Sequence, residues 1–216
     1  MSNKIPTISK KELGIDKASI KLIEKEGIDG NIIDSELEII IKIVSTLKPK
    51  RIFEIGTFDG RTTINLANNT PEDTVIFSLD LPKEKINSTK YKLYSNLFTD
   101  RDDKRYIEKS EIGEQYKDKQ NSYKIKQLLG DSATFDFSSY IKFIDFIFVD
   151  GSHAKDYVKN DTEIALQLAS KNSIIMWHDY TNWEDVTNVM NDYYEKDDRF
   201  KNIKQIENTT FLYLEK

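Results

Sequence analysis

Five short, mainly apolar runs, each stopped by a glycine, a proline or a charged or polar residue, most constrain how this chain can fold. They are Arg51-Ile52-Phe53-Glu54-Ile55 before Gly56, Val75-Ile76-Phe77-Ser78-Leu79-Asp80 stopping at Pro82, residues 125–129 before Gly130, Ile144-Asp145-Phe146-Ile147-Phe148-Val149 before Asp150-Gly151, and Ser173-Ile174-Ile175-Met176-Trp177 before His178-Asp179. Runs of this length and composition suit strands buried on both faces. Helical patterning lies between them. Ile33, Leu37, Ile40, Ile41, Val44 and Leu47 recur at helical spacing, with Asp34 or Ser35 as the expected cap and Pro49 beyond the end. Gly60 opens a predicted helix through Asn68, and two more are expected over residues 155–169 and 183–196.

Strands alternating with helices predict an α/β fold: a Rossmann-like, mostly parallel sheet with helices on both faces. Two closing β-like pieces, residues 202–206 and 210–215, have Asn208 and Thr209 between them. That predicts a C-terminal antiparallel pair. The 216 residues suit a single domain, 1–216. Within it, residues 1–32 read as an N-terminal arm with a short helix over 16–26. Residues 83–122 break the alternation. This charged insertion carries Tyr91, Tyr94, Tyr106 and Tyr116, and a segment of that length is expected to hold its own helices or a function.

Charge and composition exclude several classes. The 32 Lys and Arg are mixed with 37 Asp and Glu, for a net charge of −5, and no basic block is sustained. Nucleic acid is therefore not an expected partner. With no cysteine, disulfides, thiolate catalysis and Cys-ligated zinc are excluded, in keeping with a cytoplasmic protein. No apolar stretch approaches the ~20 residues of a membrane span. A homodimer is compatible with all of this.

Ligands of open α/β sheets bind beyond the carboxyl ends of the strands. Four groups of residues fall there. The turn Glu54-Ile55-Gly56-Thr57-Phe58-Asp59-Gly60 lies between a predicted strand and a predicted helix, where glycines permit a tight turn and close approach of a ligand. It lacks the GxGxxG spacing of dinucleotide sites. Its acidic lead residue would repel a phosphate and attract a cation. Asp80 could accept hydrogen bonds from ribose hydroxyls. Asp131, in Gly130-Asp131-Ser132, could accept one from an adenine amino group or cap a turn of helix. The fourth group holds both histidines of the chain, in Asp150-Gly151-Ser152-His153 and in His178-Asp179-Tyr180. If their strands are neighbours, two Asp and two His meet at one sheet edge. Such a set could bind a divalent cation or supply a general base.

These motifs, in this order over roughly residues 33–196, resemble the class I S-adenosylmethionine-dependent methyltransferases. The nearest subgroup is methyltransferase family 24, related to catechol-type and macrolide-sugar O-methyltransferases. The resemblance implies S-adenosylmethionine as cofactor and methyl transfer to a small-molecule acceptor, with a hydroxyl oxygen as the receiving atom. It implies that Glu54 and Gly56 line the methionine part, that Thr57 and Gly60 also bind the cofactor, that Asp80 holds the ribose, and that Asp131 and Ser132 flank the adenine. Asp150 borders the cofactor and, with Asp179, matches the metal-ligand positions of relatives that use Mg2+ or another divalent cation. Those relatives tend to carry two consecutive acids where this chain has His178-Asp179. An acid–base role for His153 or His178, with Asp179, is the competing expectation. Residues 83–122 would cover and choose the acceptor. The alternatives from other classes are an NAD-dependent oxidoreductase and a non-catalytic nucleotide-binding protein on the same sheet.

Overall fold

A computed structural model describes residues 4–23 and 27–216. All five predicted runs are strands of one eight-stranded sheet. In chain order the strands are β1 (Thr7–Ile8), β2 (Arg51–Ile55), β3 (Val75–Asp80), β4 (Ser95–Asn96), β5 (Arg101–Asp102), β6 (Ile125–Leu129), β7 (Ile144–Val149), β8 (Ala169–Trp177), β9 (Lys204–Ile206) and β10 (Leu212–Glu215). The sheet order is β1-β9-β10-β8-β7-β2-β3-β6, while β4 and β5 form a separate hairpin. Strands β6, β3, β2, β7 and β8 run parallel. The expected antiparallel pair is β9–β10, and β10 also runs antiparallel to β8. From β2 the chain winds first towards β3 and later towards β7, so the sheet's switch point lies between β2 and β7.

The helices are α1 (Asp34–Leu47), α2 (Arg61–Asn68), α3 (Asp103–Lys109), α4 (Lys155–Leu168) and α5 (Glu184–Lys196). Successive strand residues point to opposite faces, so each strand feeds two cores. Ile52, Ile76, Phe146, Phe148 and Met176 pack with Leu37, Ile40, Ile41 and Val44 of α1 and Ile64 and Leu66 of α2. Phe53, Ile147, Val149, Ile175 and Trp177 pack on the other face with Val158 and Ala165 of α4 and Val186, Val189 and Met190 of α5. This two-sided burial is why the runs are mainly apolar rather than alternating. No helix among the described residues is long and apolar enough to cross a membrane.

Four local expectations are corrected. The helix over 16–26 does not form across 16–23, and 24–26 lie outside the described residues. Side-chain amides of α2 and of Asn69 just after it take the backbone instead: Lys21 N donates to Asn69 Oδ1 (2.7 Å), Ile23 N donates to Asn65 Oδ1 (2.8 Å), and Asn65 Nδ2 donates to Ile23 O (2.8 Å). The arm also contributes β1, which pairs in parallel with β9 at the sheet edge. Neither Asp34 nor Ser35 caps α1; Ile33 occupies the cap position, and Asp34 instead pairs with the buried guanidinium of Arg61. Lastly, α4 stops at Leu168 and β8 begins at Ala169, earlier than the apolar run suggests. Residues 83–122 hold short 3-10 turns, the β4–β5 hairpin and α3.

Candidate active site

The cavity at the carboxyl ends of β2, β3, β6, β7 and β8 has a volume of about 550 Å3. Its floor is the turn after β2. Gly56 has φ 98° and donates its N–H to Leu79 O (2.8 Å), while Asp150 N donates to Ile55 O (2.8 Å). A Cβ on residue 56 would lie 2.0 Å from the carbonyl oxygen of Asp150. Only glycine lets the ends of β2 and β7 approach this closely. Asp80 ties the turn from the neighbouring strand: its Oδ2 accepts from Thr57 N (3.0 Å) and Phe58 N (2.6 Å), and its Oδ1 from Leu81 N (2.7 Å). Burial pushes the Asp80 carboxyl upward, and these three donors oppose that. Thr57 Oγ1 is hydrogen-bonded to Ser78 Oγ (2.7 Å).

Glu54 and Gly60 do not reach the cavity wall. Glu54 is fully buried beneath it, where Thr63 and Ser78 hydroxyls both donate to its Oε2. Burial lifts its carboxyl to about 8, opposed by those two bonds, so the group is mostly neutral at pH 7. A neutral acid cannot be the cation-attracting group expected of the motif's lead residue. Gly60 caps α2 with φ 87° and faces Tyr116. The acid that does line the cavity is Asp59. Its Oδ1 accepts from Asn31 Nδ2 (2.9 Å) and Arg61 N (3.0 Å), while its buried Oδ2 has no partner among the described residues. Nothing in the spacing of the motif distinguished Asp59 from Glu54.

The raised Glu54 carboxyl has a consequence for stability. The folded state holds this proton more tightly than the unfolded state. Its stabilising contribution is therefore complete below pH 4.5 and is lost as the pH rises towards about 8. Glu54→Gln is expected to remove that loss, on the order of a few kcal/mol across the window. Denaturant melts of both proteins from pH 5 to pH 9 check this; parallel curves would show that Glu54 does not titrate there.

Asp131 and Ser132 follow β6 at the opposite end of the cavity. Asp131 Oδ1 accepts from Tyr157 Oη (2.8 Å) and Ala133 N (2.9 Å), and Oδ2 from Lys90 N (2.8 Å). Ser132 hydrogen-bonds Asp161, whose carboxyl burial lifts to about 6 against that bond.

The Asp and His residues after β7 and β8 meet, because these strands are parallel neighbours. His178 Nδ1 lies 3.0 Å from Asp150 Oδ1 and 3.3 Å from Asp179 Oδ2. His153 Nε2 lies 2.9 Å from Asp179 Oδ2, and its ring stacks on Trp183 with centroids 3.7 Å apart. Two acids that the sequence reading missed complete the cluster. Glu36 of α1 takes the far side of His178, with Nε2 3.0 Å from Oε2. Asp103, the first residue of α3, lies 2.7 Å from His153 Nδ1 and also accepts from Ser152 Oγ and Tyr94 N. Glu36 left a trace in the sequence, as an acid three and four residues before the buried Ile39 and Ile40, on an apolar helix face. Asp103 left none, being one acid in a charged segment.

Burial alone would lower both imidazoles, but the carboxylates outweigh it. Asp103 and Asp179 raise His153 to about 10. Asp179 and Asp150 raise His178 well above its ordinary value. Asp179 is opposed by burial and nonetheless held well below the carboxylate range by the two imidazoles. Glu36 is also lowered, as His178 and Thr210 overcome its burial. With both imidazoles charged, the four carboxylates still leave the cluster two negative charges in excess.

That excess suits a divalent cation. One donor atom from each of Asp150, His178 and Asp179 lies within 4.8 Å of the others. Neighbouring ligands of an octahedral ion at about 2.1 Å are about 3 Å apart, close to the spacings of His178 Nδ1 from Asp150 and Asp179. The residues present therefore fit such an ion.

Residues 53–180, more than half of the chain, match the family described as a methyltransferase domain. The chain belongs to this methyltransferase family. No curated protein sequence matches it. Among solved structures it is similar to the O-methyltransferase TomG of Streptomyces achromogenes, involved in tomaymycin synthesis and in complex with SAM; identity is 15%, coverage 87% of this chain and 82% of that one, and TM-score 0.56. It is also similar to the SAH-bound methyltransferase PaMTH1 of Podospora anserina, with 17% identity, coverage of 86% and 79%, and TM-score 0.57. A third is an O-methyltransferase of Bacillus cereus in complex with SAH, with 15% identity, coverage of 88% and 84%, and TM-score 0.52. At these identities the likeness is one of fold.

Proposed function

We propose that this methyltransferase moves the methyl group of S-adenosylmethionine to a hydroxyl oxygen of a small molecule. One observation carries the reading. The glycine turn at Gly56, the Asp59 residue beside it and the Asp150, His178 and Asp179 donors all line one cavity in a chain of this family. Gly56 and Thr57 would lie along the methionine part of the cofactor, with Asp59 the acid of the turn nearest its ammonium. Asp80 would take the ribose hydroxyls. Asp131 and Ser132 would border the adenine.

In the reaction, the acceptor hydroxyl gives its proton to solvent water and its oxygen lone pair forms the new C–O bond while the C–S bond breaks, that electron pair passing to sulfur to give S-adenosylhomocysteine. The leaving group is good, so alignment is the protein's main task and can supply about 7–11 kcal/mol in favourable cases. A divalent cation held by Asp150 and Asp179 would lower the pKa of the acceptor hydroxyl. Both ring nitrogens of His153 are taken up by Asp103 and Asp179, which favours a holding role over that of proton acceptor. Residues 83–122 supply Leu93, Arg101, Tyr106 and Ile107 to the cavity wall, which supports their part in choosing the acceptor. Nine carboxylates and one guanidinium line the cavity among the described residues, so a neutral or cationic acceptor suits it better than an acidic one.

Calorimetric titration with S-adenosylhomocysteine tests the cofactor. Micromolar binding is expected, with none for NAD. Asp80→Ala should weaken binding by about 1.5–3 kcal/mol, as ribose hydrogen bonds to a charged acceptor are lost. An Asp80→Ala protein with unchanged affinity would show the cofactor to be wrongly placed.

A further inference from the structure

The cation site has a back wall that none of the family motifs supplies. Glu36 lies on α1, outside the matched residues 53–180, and is 4% exposed. Its Oε1 accepts from Thr210 N (2.6 Å) and Thr210 Oγ1 (3.0 Å), which fixes the carboxylate at the start of β10. Its Oε2 faces His178 Nε2 at 3.0 Å. The opposite ring nitrogen, Nδ1, faces Asp150 and Asp179 at 3.0 and 3.3 Å. A carboxylate can only accept from a ring N–H, so Glu36 selects the tautomer protonated on Nε2. That tautomer turns the Nδ1 lone pair towards the two Asp carboxylates when a cation takes the place of the Nδ1 proton. A metal-ligating imidazole is typically oriented in this way, by a carboxylate on its other nitrogen.

We propose that Glu36 is a positioning residue that makes His178 the third protein ligand of the cation site, and that the resulting two-carboxylate, one-imidazole set prefers a transition ion such as Mn2+ to Mg2+. The proposal rests on the cation reading above. Its chemical basis is ligand type. All-oxygen sets suit Mg2+, which holds its water tightly, whereas imidazole nitrogen favours first-row transition ions.

The test uses the full chain, freed of metal with chelator and titrated with MnCl2 or MgCl2, with binding read by calorimetry and by the Mn2+ paramagnetic resonance signal. Mn2+ is expected to bind at least tenfold more tightly than Mg2+. Glu36→Gln should weaken Mn2+ binding by about 10–100-fold while S-adenosylhomocysteine affinity stays unchanged. His178→Asp should restore an all-carboxylate set, narrow the Mn2+/Mg2+ ratio and remove dependence on Glu36. In the unaltered protein, the electron spin-echo signal of bound Mn2+ should carry 14N modulation that is absent in His178→Asp; this arm stands even if Glu36→Gln does not fold. Unmodulated Mn2+, equal Mn2+ and Mg2+ affinities, or a folded Glu36→Gln protein with unaltered Mn2+ affinity would each overturn the proposal. Failure to bind any divalent cation would overturn it too, together with the cation reading, while binding of S-adenosylhomocysteine in the same preparation would leave the cofactor assignment standing.

Discussion

Gly56→Ala is expected to destabilise the protein by about 2–5 kcal/mol and to abolish measurable S-adenosylhomocysteine binding. Two costs add. The residue has φ 98°, where an L side chain costs roughly 1–2 kcal/mol. The new Cβ would also lie 2.0 Å from Asp150 O and 2.6 Å from its carbonyl carbon, and such overpacking costs typically about 1–3 kcal/mol. Neither atom belongs to a side chain that can swing away. Relief requires the ends of β2 and β7 to separate, and that strains the bonds from Gly56 N to Leu79 O and from Asp150 N to Ile55 O. Those bonds hold the floor of the cavity and place Asp150 in its wall, so the damage falls on binding as well as folding. Against a total stability of about 5–15 kcal/mol the loss is large. Gly14→Ala is the matched control: φ is 68°, but nothing lies within 4 Å of its Cβ position, so the backbone cost alone remains. Denaturant midpoints of the two variants separate strain from overlap. Equal midpoints would show that β2 and β7 tolerate a wider approach than the structure implies.

The same contact explains why this part of the molecule was legible in the sequence. A strand crossing a parallel sheet buries both faces, and the chain must then turn sharply at the ligand-binding edge. Apolar runs followed by Gly56, Asp80, Asp150 and His178-Asp179 record both requirements locally. The neighbouring placement of β7 and β8 followed from the fold class, and with it the meeting of Asp150, His178 and Asp179. What local pattern cannot carry is a partner chosen by tertiary packing. Glu36 reaches His178 from 142 positions away, and Asp103 reaches His153 from 50. Glu54 and Asp59 stand five residues apart in one acidic motif and are both buried, yet only Asp59 lines the cavity, because the strand sets Glu54 beneath it against Ser78 and Thr63. Likewise the sequence predicts a helix over residues 16–26, but Asn65 of α2 and Asn69 at its end accept from the backbone N–H groups of Ile23 and Lys21, and residues 16–23 stay non-helical.

Asp179→Asn is expected to lower turnover by about 10²–10³-fold while S-adenosylhomocysteine affinity changes by less than about threefold, or ~0.6 kcal/mol. Residue 179 sits at φ 65°, which asparagine adopts as readily as aspartate, so the turn after β8 should survive. One oxygen, Oδ1, accepts from Asn182 Nδ2 (3.1 Å). The other, Oδ2, faces His153 Nε2 at 2.9 Å and His178 Nδ1 at 3.3 Å, and is the charge shared by both imidazoles. An amide in that place keeps the volume, removes the charge and leaves the imidazoles to Asp103, Asp150 and Glu36. Folding should therefore lose less than the ~3–5 kcal/mol typical of a fully orphaned buried ion. The cofactor's ribose and adenine would rest on Asp80, Asp131 and Ser132, at other strand ends, which is why its binding should persist. The expected result is thus a split, with catalysis lost and cofactor binding kept. It can be read from methyl-transfer rates against a panel of neutral and cationic hydroxyl compounds, together with calorimetry on the same protein. A variant that loses both would make Asp179 part of the cofactor's own seat. A variant that keeps full turnover would reduce the entire Asp and His cluster to a structural tie between β7, β8, α1 and α3.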